Sequence, residues 1–191
     1  MNDKILIVIG SAKYNKGSEI LLTGTAQLLR NLGVKHIIAS SADIAEGENL
    51  GLPYIDKYIP RYGSLYKSNI IIRKILNLML RFSFFTGAVL KFISPYIFKE
   101  AMDCDAIIII VADNFDYSKR KNFINHIVNV FNKQTKAKIV LYDFSIKKEN
   151  ITNALINDCK KVDFITARDT TSFANLQNAG ITNHLYYYPD P

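Results

Sequence analysis

Apolar runs of strand length alternate with helical stripes along most of this chain. "KILIVIG" at residues 4–10 carries five apolar residues in a row, Ile5 to Ile9, as a strand buried on both faces does. "GSEILLTGTAQLLRNLG" reads as a helix ending at Gly33, with Ile20, Leu21, Thr25, Leu28 and Leu32 near one face, and "VKHIIAS" is the next strand. Strand, helix, strand in that order makes a parallel pair with a right-handed crossover. "AIIIIVA" at 106–112 is the strongest strand signal. After it the pattern predicts a helix around 118–134, the strand "AKIVLYDF", a helix around 147–160, the strand "VDFITA", a helix from about 170 to 179 and the strand "HLYYY". The expected fold is α/β, a doubly wound, mostly parallel Rossmann-like sheet with helices on both faces. Residues 1–191 read as one domain without internal repeat or linker.

Residues 62–102 break the rhythm. They carry bulky apolar residues on most sides, with cations at Lys67, Arg73, Lys74, Arg81, Lys91 and Lys99. The longest charge-free run, Phe82 to Leu90, is about half a bilayer span, with Gly87 inside it and Pro95 shortly after, so no transmembrane helix is expected. Two helices joined near Thr86-Gly87 form one reading of this insertion. The other is a basic amphipathic surface lying on an anionic membrane, where lipid-linked sugars are found.

Composition narrows the class. About half of the 191 residues are apolar and 21% are charged, enough to bury a sizeable core. A formal charge of +7 raises nucleic acid or an anionic surface as partners. Lys, Asn and Ile are abundant throughout, however, as AT-rich coding produces without selection for a basic face, and no RNA-binding aromatic motif or zinc-finger spacing is present, so nucleic acid is not an expected partner. Cys104 and Cys159 lack CxxC spacing and read as core thiols, and the opening residues form a strand and not a secretory segment. Both observations point to the cytoplasm.

Three loops could carry chemistry. "GSAKYNKGSE" follows the first strand; Gly17 offers backbone freedom, Ser18 a helix cap, and the amides a seat for an anion or hydroxyl, although neither GxGxxG nor a P-loop is present. "VADNFDYSK" follows the central strand, where Asp113 and Asn114 can orient hydroxyls or act as turn residues, and no metal-ligand spacing appears. In "ITARDTTSFANLQNAG", Asp169 or Thr170 can cap the helix while Arg168 stands at its positive end. His36, His126 and His184 are scattered and read as structural. In a parallel sheet all three loops belong to one edge, so Gly17, Asp113 and Arg168 are expected to line one cleft. Arg168 is then an exposed charge whose removal costs under about 1 kcal/mol.

"DFITARDTTSFANLQNAGI", followed shortly by "YPDP", resembles the signature of the polysaccharide pyruvyl transferase family: Asp, a strand leading to Arg-Asp/Glu, then Ser, Leu, Gly-Ile and Pro-Asp. "NKGSEILLTGTAQLLRNLG" is similar to that family's Asn-x-Gly-Asp loop and first helix, carried by Asn15, Gly17 and Glu19; "VLYDFSI" matches its Ser-Ile pair at Ser145 and Ile146. Two positions depart. Ser18 stands where the family has Asp, and Ala112-Asp113 replaces a glycine pair, which restricts close backbone approach by an acceptor.

The resemblance implies the first half of a glycosyltransferase-B-like, two-domain architecture, with the second domain absent from this chain. It implies transfer of pyruvate from phosphoenolpyruvate to a sugar diol as a cyclic ketal, in bacterial exopolysaccharide or cell-surface polysaccharide biosynthesis. Phosphoenolpyruvate is then the donor substrate, no cofactor or metal is required, and the acceptor is a sugar or a lipid-linked saccharide. The donor-holding Arg and His residues would lie in the second domain, so this chain alone is expected to be inactive. Its share would be an acceptor wall of Asn15, Gly17, Glu19, Asp113, Asn114, Arg168, Asp169 and Ser172. A non-catalytic binding or scaffold domain of the same fold, and a nucleotide-sugar glycosyltransferase of the glycosyltransferase-B type, are the other readings.

Overall fold

The computed structural model describes residues 3–63, 69–79, 86–112 and 123–189. In chain order its elements are β1 (Lys4–Ile9), α1 (Lys16–Asn31), β2 (His36–Ser41), β3 (Lys57–Pro60), α2 (Ile70–Met79), α3 (Thr86–Ile93) and α4 (Pro95–Ala101). Then follow β4 (Ala106–Ala112), α5 (Phe123–Gln134), β5 (Lys138–Phe144), a 3-10 turn (Lys148–Asn150), α6 (Asn153–Cys159), β6 (Phe164–Ala167), α7 (Thr170–Asn178) and β7 (Leu185–Tyr187). The seven strands form one sheet in the order β3-β2-β1-β4-β5-β6-β7. Every neighbouring pair is parallel, as the alternation predicts.

Both sides of the central strands are dry. Leu6 and Val8 of β1 join Ile107, Ile109, Leu141 and Phe131 in one core, while Ile7 and Ile9 join Ile108, Ile110, Leu22 and Ala26 in another. Successive side chains alternate across a strand, so these two cores are the two faces of the sheet. Helix α1 serves one face, and α3 to α7 supply the other. The segment carrying Ile44, Leu50, Leu52 and Ile55 packs on the same face, and farther along it Phe164 of β6 and Tyr186 of β7 lie exposed with their rings 6.1 Å apart.

Several expectations are corrected. The buried stripe of α1 is Leu22, Thr25, Ala26 and Leu29, whereas Ile20, Leu28 and Leu32 are exposed. Thr25 and Ala26 share the buried face with two leucines, so apolar size alone does not mark it. Strand β3 is unforeseen. The insertion holds a third helix, because Pro95 occupies the first turn of α4, where its fixed φ and missing N–H are no defect. The expected joint near Thr86-Gly87 is the start of α3, and residues 80–85 before it lie outside the described residues. The helix around 147–160 is split, its second part capped by Thr152, whose hydroxyl accepts from Leu155 N–H at 3.2 Å. His184 precedes β7 in a turn with φ 66°.

The amino edge of the sheet is closed by its own pairs. Asp56 and Asp163 accept from the N–H groups of Ile37 (2.7 Å) and Ile139 (2.9 Å), and buried Glu100 bridges Lys4 (2.9 Å) and Lys57 (2.6 Å). The carboxyl edge, with its loops, is left for a ligand.

Candidate functional site

The winding of the sheet reverses between β1 and β4: the chain runs outward from β1 to β2 and β3, then returns to place β4 on the other side of β1. Crevices at such a reversal are where open parallel sheets hold ligands. The loop after β1 borders this one. The loop after β4, with Asp113 and Asn114, lies outside the described residues, as does Asp190 of the "YPDP" segment.

The first loop is organised by a residue that sequence reasoning missed. Asp43, just past β2, accepts hydrogen bonds from the N–H groups of Ala12 (3.1 Å), Lys13 (2.8 Å) and Tyr14 (3.2 Å). The hydroxyls of Ser11 (2.5 Å) and Ser41 also donate to it, and Ser41 Oγ accepts from Ala12 N–H at 2.9 Å. Partial burial works against the charge on Asp43, but these donors outweigh it and hold the carboxyl far below the usual aspartate range. The loop amides expected to seat an anion are thus filled by the protein's own carboxylate.

Beside Asp43 stands another unforeseen residue, Arg61. It is 6% exposed, follows β3, donates through Nη2 to the carbonyl of Ile9, and its backbone N–H bonds Ser41 O at 2.9 Å. Burial lowers its pKa, while Tyr62 and Asp43 favour its charge. Its guanidinium lies 6.0 Å from the Tyr62 ring.

The α1 terminus differs from expectation. Asn15, not Ser18, is the cap, its Oδ1 accepting from Ser18 N–H at 3.3 Å, and Glu19 pairs with Lys16 at 2.7 Å. Gly17 lies in the first turn outside the left-handed region, and a Cβ there would meet only Asn15 Oδ1 at 3.4 Å. Backbone freedom is therefore not its reason for being glycine. Gly17→Ala should leave stability unchanged or raise it by up to about 1 kcal/mol, the helix preference of alanine. Chemical denaturation checks this, and a loss of acceptor binding in the full-length protein at unchanged stability would mark Gly17 as a place of close ligand approach.

At the third loop Asp169 caps α7 as expected, accepting from Ser172 N–H (2.7 Å), Ser172 Oγ (2.7 Å) and Ser145 Oγ (3.4 Å). Burial pushes its carboxyl up, but these bonds and Arg168 hold it below the ordinary value. Ser172 is buried, and its Oγ also accepts from Ile146 N–H at 2.9 Å, so it clamps two loops together and does not face a ligand. Arg168 turns toward Asp143, with Nη1 3.9 Å from Oδ2. Asp143 is a buried carboxylate at the end of β5 with φ 61°, a conformation that Asp tolerates better than most residues. Arg168 thus answers a carboxylate of its own domain.

Arg168 and Gly17 share the carboxyl edge but do not meet. Three strand spacings separate β1 from β6, or about 14 Å at 4.8 Å each. A cavity of about 460 Å³ lies elsewhere, along the outer side of β3, lined by Glu46, Tyr58, Pro60, Tyr96 and Lys99 among others. Burial pushes both Cys104 and Cys159 up to about 12, which leaves no thiolate at neutral pH. Cys159 is the core thiol expected and Cys104 is half-buried; both are free. The side chain of His126 lies outside the described residues.

A family model described as polysaccharide pyruvyl transferase matches residues 15–191, a span that contains Asn15, Gly17, Glu19 and the Arg168-Asp169 loop. No curated protein matches the chain. Among solved structures, the chain is similar to Anabaena HepE in complex with UDP and glucose (14% identity, TM-score 0.54). It is also similar to UDP-GlcNAc 2-epimerase from Methanocaldococcus jannaschii (16% identity, TM-score 0.53). The likeness covers 98% and 96% of this chain but only 44% and 45% of those proteins, so the chain spans less than half their length. At such identities it shows the fold, the Rossmann-like α/β architecture expected from the sequence.

Proposed function

The chain belongs to the polysaccharide pyruvyl transferase family, and on that premise we propose that it is the acceptor-side domain of a two-domain enzyme of glycosyltransferase-B-like architecture. The reaction moves pyruvate from phosphoenolpyruvate to two hydroxyls of one sugar. The first hydroxyl adds to C2 of the enolpyruvyl group, and its proton ends on the methylene, which becomes a methyl group. The second hydroxyl displaces phosphate, which carries off the remaining proton. The product is a cyclic ketal. The observation that carries this reading is the family match across 177 residues, 15–191, including loops at the carboxyl edge.

The residues present suit a hydroxyl-rich acceptor better than a donor phosphate. The amides after β1 are held by Asp43, and Arg168 is engaged by Asp143. Around the edge stand the Asn15 amide, the Glu19 carboxylate and the part-exposed Arg168 guanidinium, groups that hydrogen-bond and orient a diol. The cations that hold phosphoenolpyruvate would come from the second domain.

The test uses the full-length protein with phosphoenolpyruvate and a panel of saccharides, reading phosphate release and the ketal methyl signal by NMR. Turnover of a nucleotide sugar with none of phosphoenolpyruvate would overturn the proposal in favour of a glycosyltransferase. Arg168→Ala in that protein should weaken acceptor binding by about tenfold. It should also cost about 1 kcal/mol of stability, because it removes a positive charge that faces a buried carboxylate. Paired measurements of acceptor KM and denaturation midpoint separate the two effects.

A further inference from the structure

The basicity of this chain is local. Residues 57–99 hold eight cations, Lys57, Arg61, Lys67, Arg73, Lys74, Arg81, Lys91 and Lys99, and no Asp or Glu. The rest of the chain, with 16 cations against 17 carboxylates, is close to neutral. Of these, Lys57 pairs with buried Glu100 and Arg61 is buried, so the outward-facing excess lies in and around the helical insertion.

Within this segment α2 has two apolar sides. Ile72, Leu76 and Met79 pack with Val89 and Ile93 into a small core. Ile71, Ile75 and Leu78, at i, i+4 and i+7, form an adjacent stripe that is 66%, 53% and 53% exposed. Ile70 is exposed as well, as are Arg73 and Lys74 on the same helix and Lys91 and Phe92 on α3. No helix among the described residues is long and apolar enough to cross a membrane.

We propose that the exposed face of α2 docks this domain onto an anionic phospholipid surface. An apolar stripe with Lys74 at its margin, in a sequence segment that holds cations and no carboxylate, has the chemistry of a helix lying in a bilayer interface: the isoleucines enter the acyl boundary while the neighbouring cations meet the headgroup phosphates. A mixed-charge protein interface would not need the local exclusion of acids. The proposal is independent of pyruvyl transfer, since it rests on the charge and exposure of α2 and on no group at the carboxyl edge. It would hold for any acceptor delivered at a membrane.

The experiment is co-sedimentation of the full-length protein with vesicles containing phosphatidylglycerol and with vesicles of phosphatidylcholine alone. The expected result is binding to the anionic vesicles that weakens as salt is raised. Lys74→Glu should lower partitioning by about fivefold or more, the share of one cation at the headgroups. Ile71→Gln with Ile75→Gln should reduce it comparably while leaving thermal unfolding and activity on a soluble acceptor unchanged. If the glutamine variant fails to fold, the charge-reversed one decides. Absence of sedimentation, equal binding to both vesicle types, variants that bind like the parent, or a dimer that the glutamine variant dissociates would each overturn the proposal. Vesicle binding without pyruvyl transfer would instead refute only the enzymatic reading.

Discussion

Asp43→Ala should lower the stability of the protein by about 3 kcal/mol, seen as a fall of roughly 10 °C in the unfolding midpoint. The size follows from what the carboxylate does. Three backbone N–H groups and two hydroxyls converge on it, and Ala12 is itself buried, so truncation strips acceptors from donors that water reaches poorly. Each buried donor left unsatisfied costs about 1–3 kcal/mol, and water entering the widened loop recovers part of that. Acid supplies a second signature. The folded-state pKa of Asp43 lies below its unfolded value, so its contribution is complete above the ordinary aspartate pKa of about 4. That contribution is lost as pH falls from there toward the depressed folded value. Asp43→Asn should therefore flatten the stability loss below about pH 4 while lowering stability at neutral pH. A neutral-pH midpoint unchanged in Asp43→Ala would mean that the loop after β1 is held by something else.

The sheet was legible because its strands are fully apolar. Ile107 to Val111 faces a core on both sides, and an unbroken run of that kind has few other uses. Strand β3 was not legible, since "KYIP" is four residues long and exists through pairing with β2, which no local pattern encodes. The buried face of α1 was misread because the large apolar residues were counted, whereas Ala26 lies on the buried face and Ile20, Leu28 and Leu32 do not. At the site the division follows sequence separation. Asp169 capping Ser172 three residues on is a local pattern and could be read. Asp43 acting on a loop about 30 residues earlier, and Arg61 reaching back 52 residues to Ile9, are tertiary facts. Their signals were present but weak: a carboxylate two residues after the strand run "HIIASS", and an arginine ending a short apolar run at "YIPR". Asp143 inside "VLYDF" was a stronger one, a carboxylate in a strand otherwise fit for burial.

Arg61→Ala should be the most damaging single change among these edge residues, at about 3–4 kcal/mol. It empties the volume of a long buried side chain, removes the donor to Ile9 O, and withdraws a positive charge that the Asp43 carboxylate favours. Arg61→Met separates these causes. Methionine refills most of the space but restores neither the hydrogen bond nor the charge, so it should recover the packing share, about 1–2 kcal/mol, and leave the rest. The remainder is expected to depend on Asp43, because a buried cation is tolerated where a carboxylate field offsets its desolvation. In a double-mutant cycle of Arg61→Met with Asp43→Asn, the combined loss should fall short of the summed single losses by about 1 kcal/mol. Measured by denaturant unfolding, additivity within about 0.3 kcal/mol would show two independent props. The shortfall would show one coupled charge cluster that ties the ends of β1, β2 and β3 together and gives the crevice beside them a rigid wall.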